Sequence, residues 1–218
     1  MMRGHAVEYA VETKLKEEKT DTKKLVTEYY DKLGLQNKFD KTKLSDLRVG
    51  LPEMVEEACT QLSKYGTLIS AQDWLDFKIQ VEIEGEHYDV PMTGRTDFFM
   101  ESKDGARVLV DLKTTSRMPS VVPFSTRIQQ VLYTRATNYR TELLYVGYGS
   151  KGVKSKTFEV ENDSKIIEIV KQTIVSMETL LRLSDDRDVL KNIIVPNPDD
   201  WSWNDDNAYR KRKEVWGW

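Results

Sequence analysis

Between Gly66 and Phe77 the spacing of apolar residues changes from helical to alternating, so this chain must fold as helices followed by a sheet. Before the change, Val7, Ala10, Val11 and Leu15 recur at helical spacing, as do Leu25, Val26, Tyr29, Tyr30 and Leu33. The second of these helices is expected to end at Gly34 as a C-cap. A polar connection from Asn37 to Leu47 leads to a third helix, which starts near Pro52 and runs through Val55, Ala58, Cys59 and Leu62 to Gly66. After the change, Phe77, Ile79, Val81 and Ile83 alternate with polar residues, the mark of a half-buried strand. A turn at Glu84-Gly85-Glu86 leads into Tyr88, Val90 and Met92, and Thr96 to Met100 continues as strand. Lys103-Asp104-Gly105 makes a turn before a strand from Arg107 to Thr114. A proline-containing loop, Ser116 to Pro123, precedes an amphipathic helix from about Ser125 to Asn138. Strands at Glu142–Tyr148 and Lys156–Val160 follow, and Asp163 or Ser164 caps a long helix marked by Ile166, Ile167, Val170, Ile174, Met177 and Leu181.

The expected architecture is therefore α/β of the α+β kind, with a central mixed sheet of about five strands flanked by helices. Its domain covers 1–195, with a helical part over 1–66. Residues 196–218 form a tail rich in Trp and basic residues (Trp201, Trp203, Tyr209, Arg210 to Lys213, Trp216, Trp218) without clean periodicity. That tail could stack bases or pack on the core, and packing is favoured because tryptophans this dense are costly to leave wet.

Composition excludes several classes. Cys59 is the single cysteine, which rules out an internal disulfide and a four-cysteine zinc or iron–sulfur site. No stretch approaches the roughly 18 apolar residues a bilayer span needs, and the first five residues lack the apolar core of a secretory signal. Cytoplasmic residence is the expectation, with no membrane partner. A net charge of −3 is not that of a strongly basic nucleic-acid binder, so any such function has to be written in local pattern.

One such pattern stands out. Val108, Val110 and Leu112 share one face of their strand, while Asp111 and Lys113 share the other. Asp97 precedes them across a short turn, so the two carboxylates can converge on one hard cation such as Mg²⁺, with Mn²⁺ as a substitute and the Leu112 carbonyl as a natural third ligand. Such an ion polarises a phosphodiester and activates a bound water, beside which Lys113 would orient or help deprotonate that water and balance developing charge. Gln129 and Tyr133, four apart on one helical face, are suited to bind a DNA phosphate or hold Lys113 in place. Arg95 suits either a phosphate contact or a surface salt bridge, and Thr114 and Thr115 can offer hydroxyls to a DNA backbone. His5 reads as a bystander and His87 as exposed.

Asp/Glu-x-Lys alone means little here, since it also begins at Glu12, Glu17, Asp21, Asp76, Glu101 and Asp163. Only Asp76 among these shares a strand context, and no Gly-x-x-Asp turn precedes it. The ordered set is the informative feature: Gly94-x-x-Asp97, an apolar strand ending in Asp111-x-Lys113, then Gln129-x-x-x-Tyr133 on a helix.

From Arg3 to about Tyr148 this set resembles the PD-(D/E)xK nuclease superfamily, and within it the RecB-like exonucleases common in bacteriophage recombination and replication. The resemblance implies a restriction-endonuclease-like core. Members carry an N-terminal helix with Gly-x-x-x-His or Gly-x-x-x-Glu, which Gly4 to Glu8 matches. It further implies that Glu8, Asp97 and Asp111 bind metal, that Lys113 is the catalytic lysine, and that Gln129 and Tyr133 mark the RecB-like branch. Members usually carry a gating segment ahead of that helix, and this sequence begins three residues before Gly4. The related iron–sulfur branch needs four cysteines and is excluded. The implied activity is a Mg²⁺- or Mn²⁺-dependent deoxyribonuclease acting at linear DNA ends and leaving 5′-phosphates. Its setting would be recombination, repair or replication in a bacterial or phage-infected cytoplasm, with a single-strand annealing or binding protein as a partner. Two other readings stand beside it: a catalytically silent DNA-binding or scaffolding module, and a site-specific endonuclease of the same superfamily.

Overall fold

The computed structural model describes residues 2–17, 21–37, 49–194, 197, 203 and 206–217. Helices α1 (Met2–Lys16), α2 (Thr22–Asn37) and α3 (Leu51–Leu62), the last extended by a short 3₁₀ turn at Ser63–Tyr65, come first. Strands β1 (Thr67–Ala71), β2 (Trp74–Ile83), β3 (Glu86–Arg95), β4 (Phe98–Glu101) and β5 (Arg107–Thr115) follow. Helix α4 (Phe124–Thr137) separates β5 from β6 (Arg140–Gly149) and β7 (Gly152–Glu159), and then come α5 (Ser164–Arg182), α6 (Arg187–Ile193) and α7 (Asp206–Trp216). Helix α2 runs through Gly34 rather than ending there. An interior glycine costs only about 1 kcal/mol relative to alanine, too little to stop a helix whose next residues continue it. Most of the connection expected over 37–47 lies outside the described residues. Gly50 caps α3 at φ 75°, and a side chain there would collide with the Tyr148 ring.

A five-stranded mixed sheet runs in the order β1-β4-β5-β6-β7. Only β5 and β6 are parallel, so their connection has to cross over, and α4 is that crossover. The expected strand number holds, but the membership differs. β1 was not anticipated, because Thr67 to Ala71 is too short and too weakly alternating to announce a strand. β2 and β3 instead form a separate two-stranded hairpin, turned by Glu84 (φ 54°) and Gly85 (φ 83°), both left-handed as a two-residue turn matching strand twist requires. β4 starts only at Phe98, leaving Thr96 and Asp97 in the turn before it, and β7 lies earlier than the predicted Lys156–Val160.

Helices α1 and α3 cover one face of this sheet, and α2 packs against both. Ala6, Val7, Ala10 and Val11 of α1 and Met54, Val55, Ala58 and Leu62 of α3 are buried against Phe98, Met100, Val110, Leu112, Leu144 and Val146. Withdrawing side chains such as Phe98, Leu112 and Leu144 from water stabilises by about 1.5–3 kcal/mol each. Helix α4 contacts β6 on the other face, where the Thr134 and Thr141 hydroxyls meet at 2.9 Å. At the start of α5, Asp163 caps the helix through its carboxylate to Lys165 N (3.0 Å) and its carbonyl to Ile166 N (3.0 Å).

The chain divides into two compact units, Met1–Ile79 with Pro91–Ile167, and Gln80–Val90 with Glu168–Trp218. Within the second unit Arg182 lies over the Tyr88 ring at 4.8 Å, and the Trp216 indole donates to the Lys191 and Ile194 carbonyls, both at 3.2 Å. Trp203 meets Trp216 edge-on at 6.2 Å, so these two tail tryptophans pack on their own unit. Trp201 and Trp218 lie outside the described residues.

Candidate active site

Asp111 sits in the middle of β5, opposite Leu143 of β6, rather than at a strand end as its sequence suggested. It is 3% exposed, and Lys113 Nζ lies 2.6 Å from its Oδ2. Alternation places the two side chains on one face, as the i, i+2 spacing required. Neither carboxylate oxygen of Asp111 has a well-directed hydrogen-bond donor beyond that ion pair. Gln130 of α4, wholly buried, is in the same condition at both amide atoms and helps to hold the Asp111 charge.

Asp97 reaches the same strand from the turn before β4. The β4–β5 ladder begins at Phe98 opposite Val110, so the Leu112 amide one step further has no strand partner on that edge. Asp97 Oδ2 accepts it at 2.8 Å. In an antiparallel ladder a residue's N–H and C=O point to the same side, so the Leu112 carbonyl also faces the Asp97 edge. Gln72 donates its backbone N–H to the Asp97 carbonyl (2.9 Å) and its amide to Oδ1 at a long 3.5 Å. Gln72 itself is held at φ 59°, a conformation a non-glycine residue adopts only under constraint.

Glu8, nearly two turns into α1, is half-buried and pairs with His5 at 3.5 Å. Helix α1 approaches β5 closely here: a methyl group at Gly4 would sit 3.4 Å from Thr114 Oγ1 and 3.6 Å from Glu8 Oε1. Thr114 is thus turned towards α1, and His87 is exposed in the hairpin of the second unit. Burial raises the Glu8 carboxyl, and Asp111 pushes it further, against His5 and Lys113. Burial likewise holds Asp97 well above the ordinary carboxylate range, reinforced by Asp111 and Glu8. Asp111 is raised by burial, with Lys113 opposing. Burial alone would lower Lys113, but Asp111, Asp97 and Glu8 outweigh it and lift the ammonium above its usual value. Three acids and one lysine therefore share one field, and at neutral pH the lysine is a fixed positive charge.

The Gln129–Tyr133 pair comes together as its spacing implied, with Gln129 Nε2 donating to Tyr133 Oη at 2.8 Å. Its polar atoms are turned inward, since Tyr133 Oη donates to the Arg95 carbonyl at 2.6 Å. Gly94 is required by the same contact, because a methyl group there would lie 2.8 Å from Tyr133 Cε1. The tyrosine thus clamps the end of β3 and so fixes where Asp97 begins. Tyr133→Phe is expected to cost about 1–2 kcal/mol, the value of an unreplaced buried hydrogen bond, and to lower the Tm by about 2–8 °C in a chain of this size. A melting curve unchanged by the substitution would show that the hydroxyl holds nothing. Arg95 points outward, with Nε on the Gln72 carbonyl (3.2 Å) and its guanidinium over the exposed Trp74 ring (5.9 Å). Thr115 hydrogen-bonds both backbone groups of Arg117.

Sequence reasoning missed Gln72, Gln130 and Tyr29, the last stacked on Tyr9 at 4.3 Å and raised by burial and by the neighbouring Glu8. Gln130 alone carried a faint signal, as a polar residue adjoining Gln129 on a helix with Val131 and Tyr133. A cavity of about 620 Å³ in the second unit, lined by Gln80, Glu82, His87, Glu168 and Lys171, contains none of the acids with raised pKa.

A divalent cation suits this donor set. Asp111 presents buried oxygens met only by the Lys113 ammonium, and burial holds all three acids above their ordinary range, reinforced at Asp97 and Glu8 by the neighbouring carboxylates. Among the described residues, though, no three His, Cys, Asp or Glu side chains stand close enough to hold an ion as they are, and Asp111 is engaged by Lys113. Asp97, Asp111, Glu8 and the Leu112 carbonyl would have to draw together around it.

The family that matches the sequence is the PD-(D/E)XK nuclease superfamily, over residues 3–194. No curated protein matches the chain. The crystal structure of SSO0001 is similar over 66% of this chain and 69% of that one, at 12% identity and a TM-score of 0.36.

Proposed function

The chain belongs to the PD-(D/E)XK nuclease superfamily, and we propose that it is a RecB-like exonuclease hydrolysing phosphodiester bonds at linear DNA ends to leave 5′-phosphates. The observation that carries this reading is the shared field of Asp97, Asp111, Glu8 and Lys113, beside a helix bearing Gln129 and Tyr133. Mg²⁺ is the cofactor it implies, with Mn²⁺ as a substitute, held by Asp97, Asp111, Glu8 and the Leu112 carbonyl. When bound, the ion supplies a polarised phosphoryl oxygen and a more acidic water.

The chain's own residues do the rest. Lys113, kept protonated by three acids, is better suited to balance charge on the pentavalent phosphorus than to abstract a proton. Asp97 keeps the Leu112 amide occupied and so holds the β5 backbone in place. Tyr133 and Gln129 fix the turn that carries Asp97, as positioning residues for the acid. Exposed Arg95, braced on Gln72 and over Trp74, meets the strand approaching the centre. The setting proposed is DNA recombination, repair or replication in a bacterial or phage-infected cytoplasm, with a single-strand annealing or binding protein as a partner.

The test compares linear with closed circular DNA of the same sequence in Mg²⁺, with each end of the linear form labelled separately. The expected result is mononucleotides or short 5′-phosphorylated products from the linear form while the circle survives. Cutting of the circle at defined positions would make the chain an endonuclease and overturn the exonuclease reading.

A further inference from the structure

Just beyond the catalytic strand lies a cleft of about 360 Å³ at the joined ends of β5, β6 and β7. Arg117, Lys151 and Lys154 line it together with Met118, Gly147 and Tyr148, and no carboxylate is among its lining residues. None of these three cations has an ion-pair partner among the described residues. Elsewhere in this unit Lys14, Lys16, Arg107, Arg127 and Arg140 each pair with an acid, whereas these three stand together around one concavity. In a chain of net charge −3, three unneutralised cations around one concavity concentrate positive potential where a polyanion can lie.

The cleft is built rather than incidental. Thr115 Oγ1 donates to the Arg117 carbonyl at 2.7 Å and accepts the Arg117 N–H at 3.2 Å, which fixes the turn that carries the guanidinium. Lys156 Nζ holds the same loop from β7 through the Pro119 and Ser120 carbonyls, at 3.3 and 3.4 Å. Thr115 pairs with Gly147, where a methyl group would stand 2.5 Å from the Thr115 carbonyl, so only glycine allows β5 and β6 to close the floor. Thr115 is two residues past Lys113 and Arg117 four, or about 7 and at most about 14 Å at strand rise. One nucleotide of a helical strand occupies about 3.4 Å, so the cleft begins about two to four nucleotides from the bond under attack.

We infer that this cleft grips the phosphate backbone of the DNA strand being cut, with Arg117, Lys151 and Lys154 as the contacts and Thr115 as the residue that positions Arg117. The inference rests on the nuclease reading of the neighbouring site. It gives Thr115 a part in DNA binding through Arg117 rather than through its own hydroxyl.

Binding of a short end-labelled single strand in EDTA, measured by anisotropy across a KCl series, tests it. Each phosphate contact on a single strand contributes about 0.7 to the slope of log affinity against log salt. Changing Arg117, Lys151 and Lys154 together to Ala should flatten that slope by about 2 and weaken binding about a hundredfold at 0.1 M salt, by the same relation. Thr115→Val should flatten it by about 0.7, and Thr115→Ser should restore it. A control with Lys23, Lys103 and Lys165 changed to Ala removes the same charge elsewhere and should leave the slope as in the wild type. If the triple variant fails to fold, Lys151→Gln and Lys154→Gln singly should each remove about 0.7. A wild-type slope in the cleft variants, or an equal loss in the control, overturns the cleft assignment while leaving the nuclease reading intact. Wild-type protein that neither binds nor cuts DNA overturns that reading instead.

Discussion

Asp111→Asn and Lys113→Ala are each expected to lower the rate of Mg²⁺-dependent DNA hydrolysis by about three orders of magnitude, and the double variant by hardly more. The size follows from what each group does: removing one preorganised charge-stabilising group in a buried site typically costs about 10²–10³ in rate. The non-additivity follows from the geometry, since Lys113 Nζ and Asp111 Oδ2 are 2.6 Å apart and act as one unit. Lys113→Ala has a second consequence that Asp111→Asn lacks, because it leaves a buried carboxylate without its cation. Its melting temperature should therefore fall while that of Asp111→Asn does not. Single-turnover kinetics alongside thermal melts separate the two effects. Independent, multiplicative losses would mean that the pair does not function as one.

The second large effect concerns stability, and its sign is opposite to intuition. Asp97→Asn should melt higher than the wild type in EDTA at neutral pH. Burial, with Asp111 and Glu8, holds the Asp97 carboxyl well above its ordinary value in the folded state. The native state then binds a proton more tightly than the unfolded state does. The stabilisation this brings is complete below the ordinary aspartate value and is lost as pH rises through the raised one. At neutral pH the charged form is a net cost, which Asn removes while still accepting the Leu112 amide. An imperfectly partnered buried polar group costs about 1–3 kcal/mol, or about 2–12 °C in Tm at this chain length. Mg²⁺ should reverse the order by raising the wild-type Tm, with about 2.7 kcal/mol gained at a hundredfold excess over its Kd. A variant that melts below the wild type in EDTA, or equal gains from Mg²⁺ in both, would contradict this.

Much of the centre was legible because it is local. Asp111 and Lys113 share a face through strand alternation alone, and Gln129 meets Tyr133 through helical spacing alone. The direction of the Gln129 and Tyr133 polar groups was not legible, since it depends on Arg95 lying 38 residues earlier in the chain. Gln72 gave no signal because its role comes from a left-handed backbone and a contact to a residue 25 positions away. Gln130 looks like a surface residue in a helix until β5 and β6 bury it. The sheet shows the same limit: five strands were expected and five form, yet β1 joins through long-range pairing with β4 while the strongly alternating β2 and β3 pair only with each other. Alternation reports a half-buried strand without saying which strand lies beside it.

Hydrolysis of end-labelled linear DNA by the purified chain, followed as Mg²⁺ is titrated from zero, tests the central claim most directly. The account predicts no cleavage without the cation, saturable cleavage with it, and cleavage about a thousandfold slower at every concentration in Asp111→Asn protein that melts at or above the wild-type temperature. Wild type and Asp111→Asn equally inert on single- and double-stranded ends, or equally active, would contradict it.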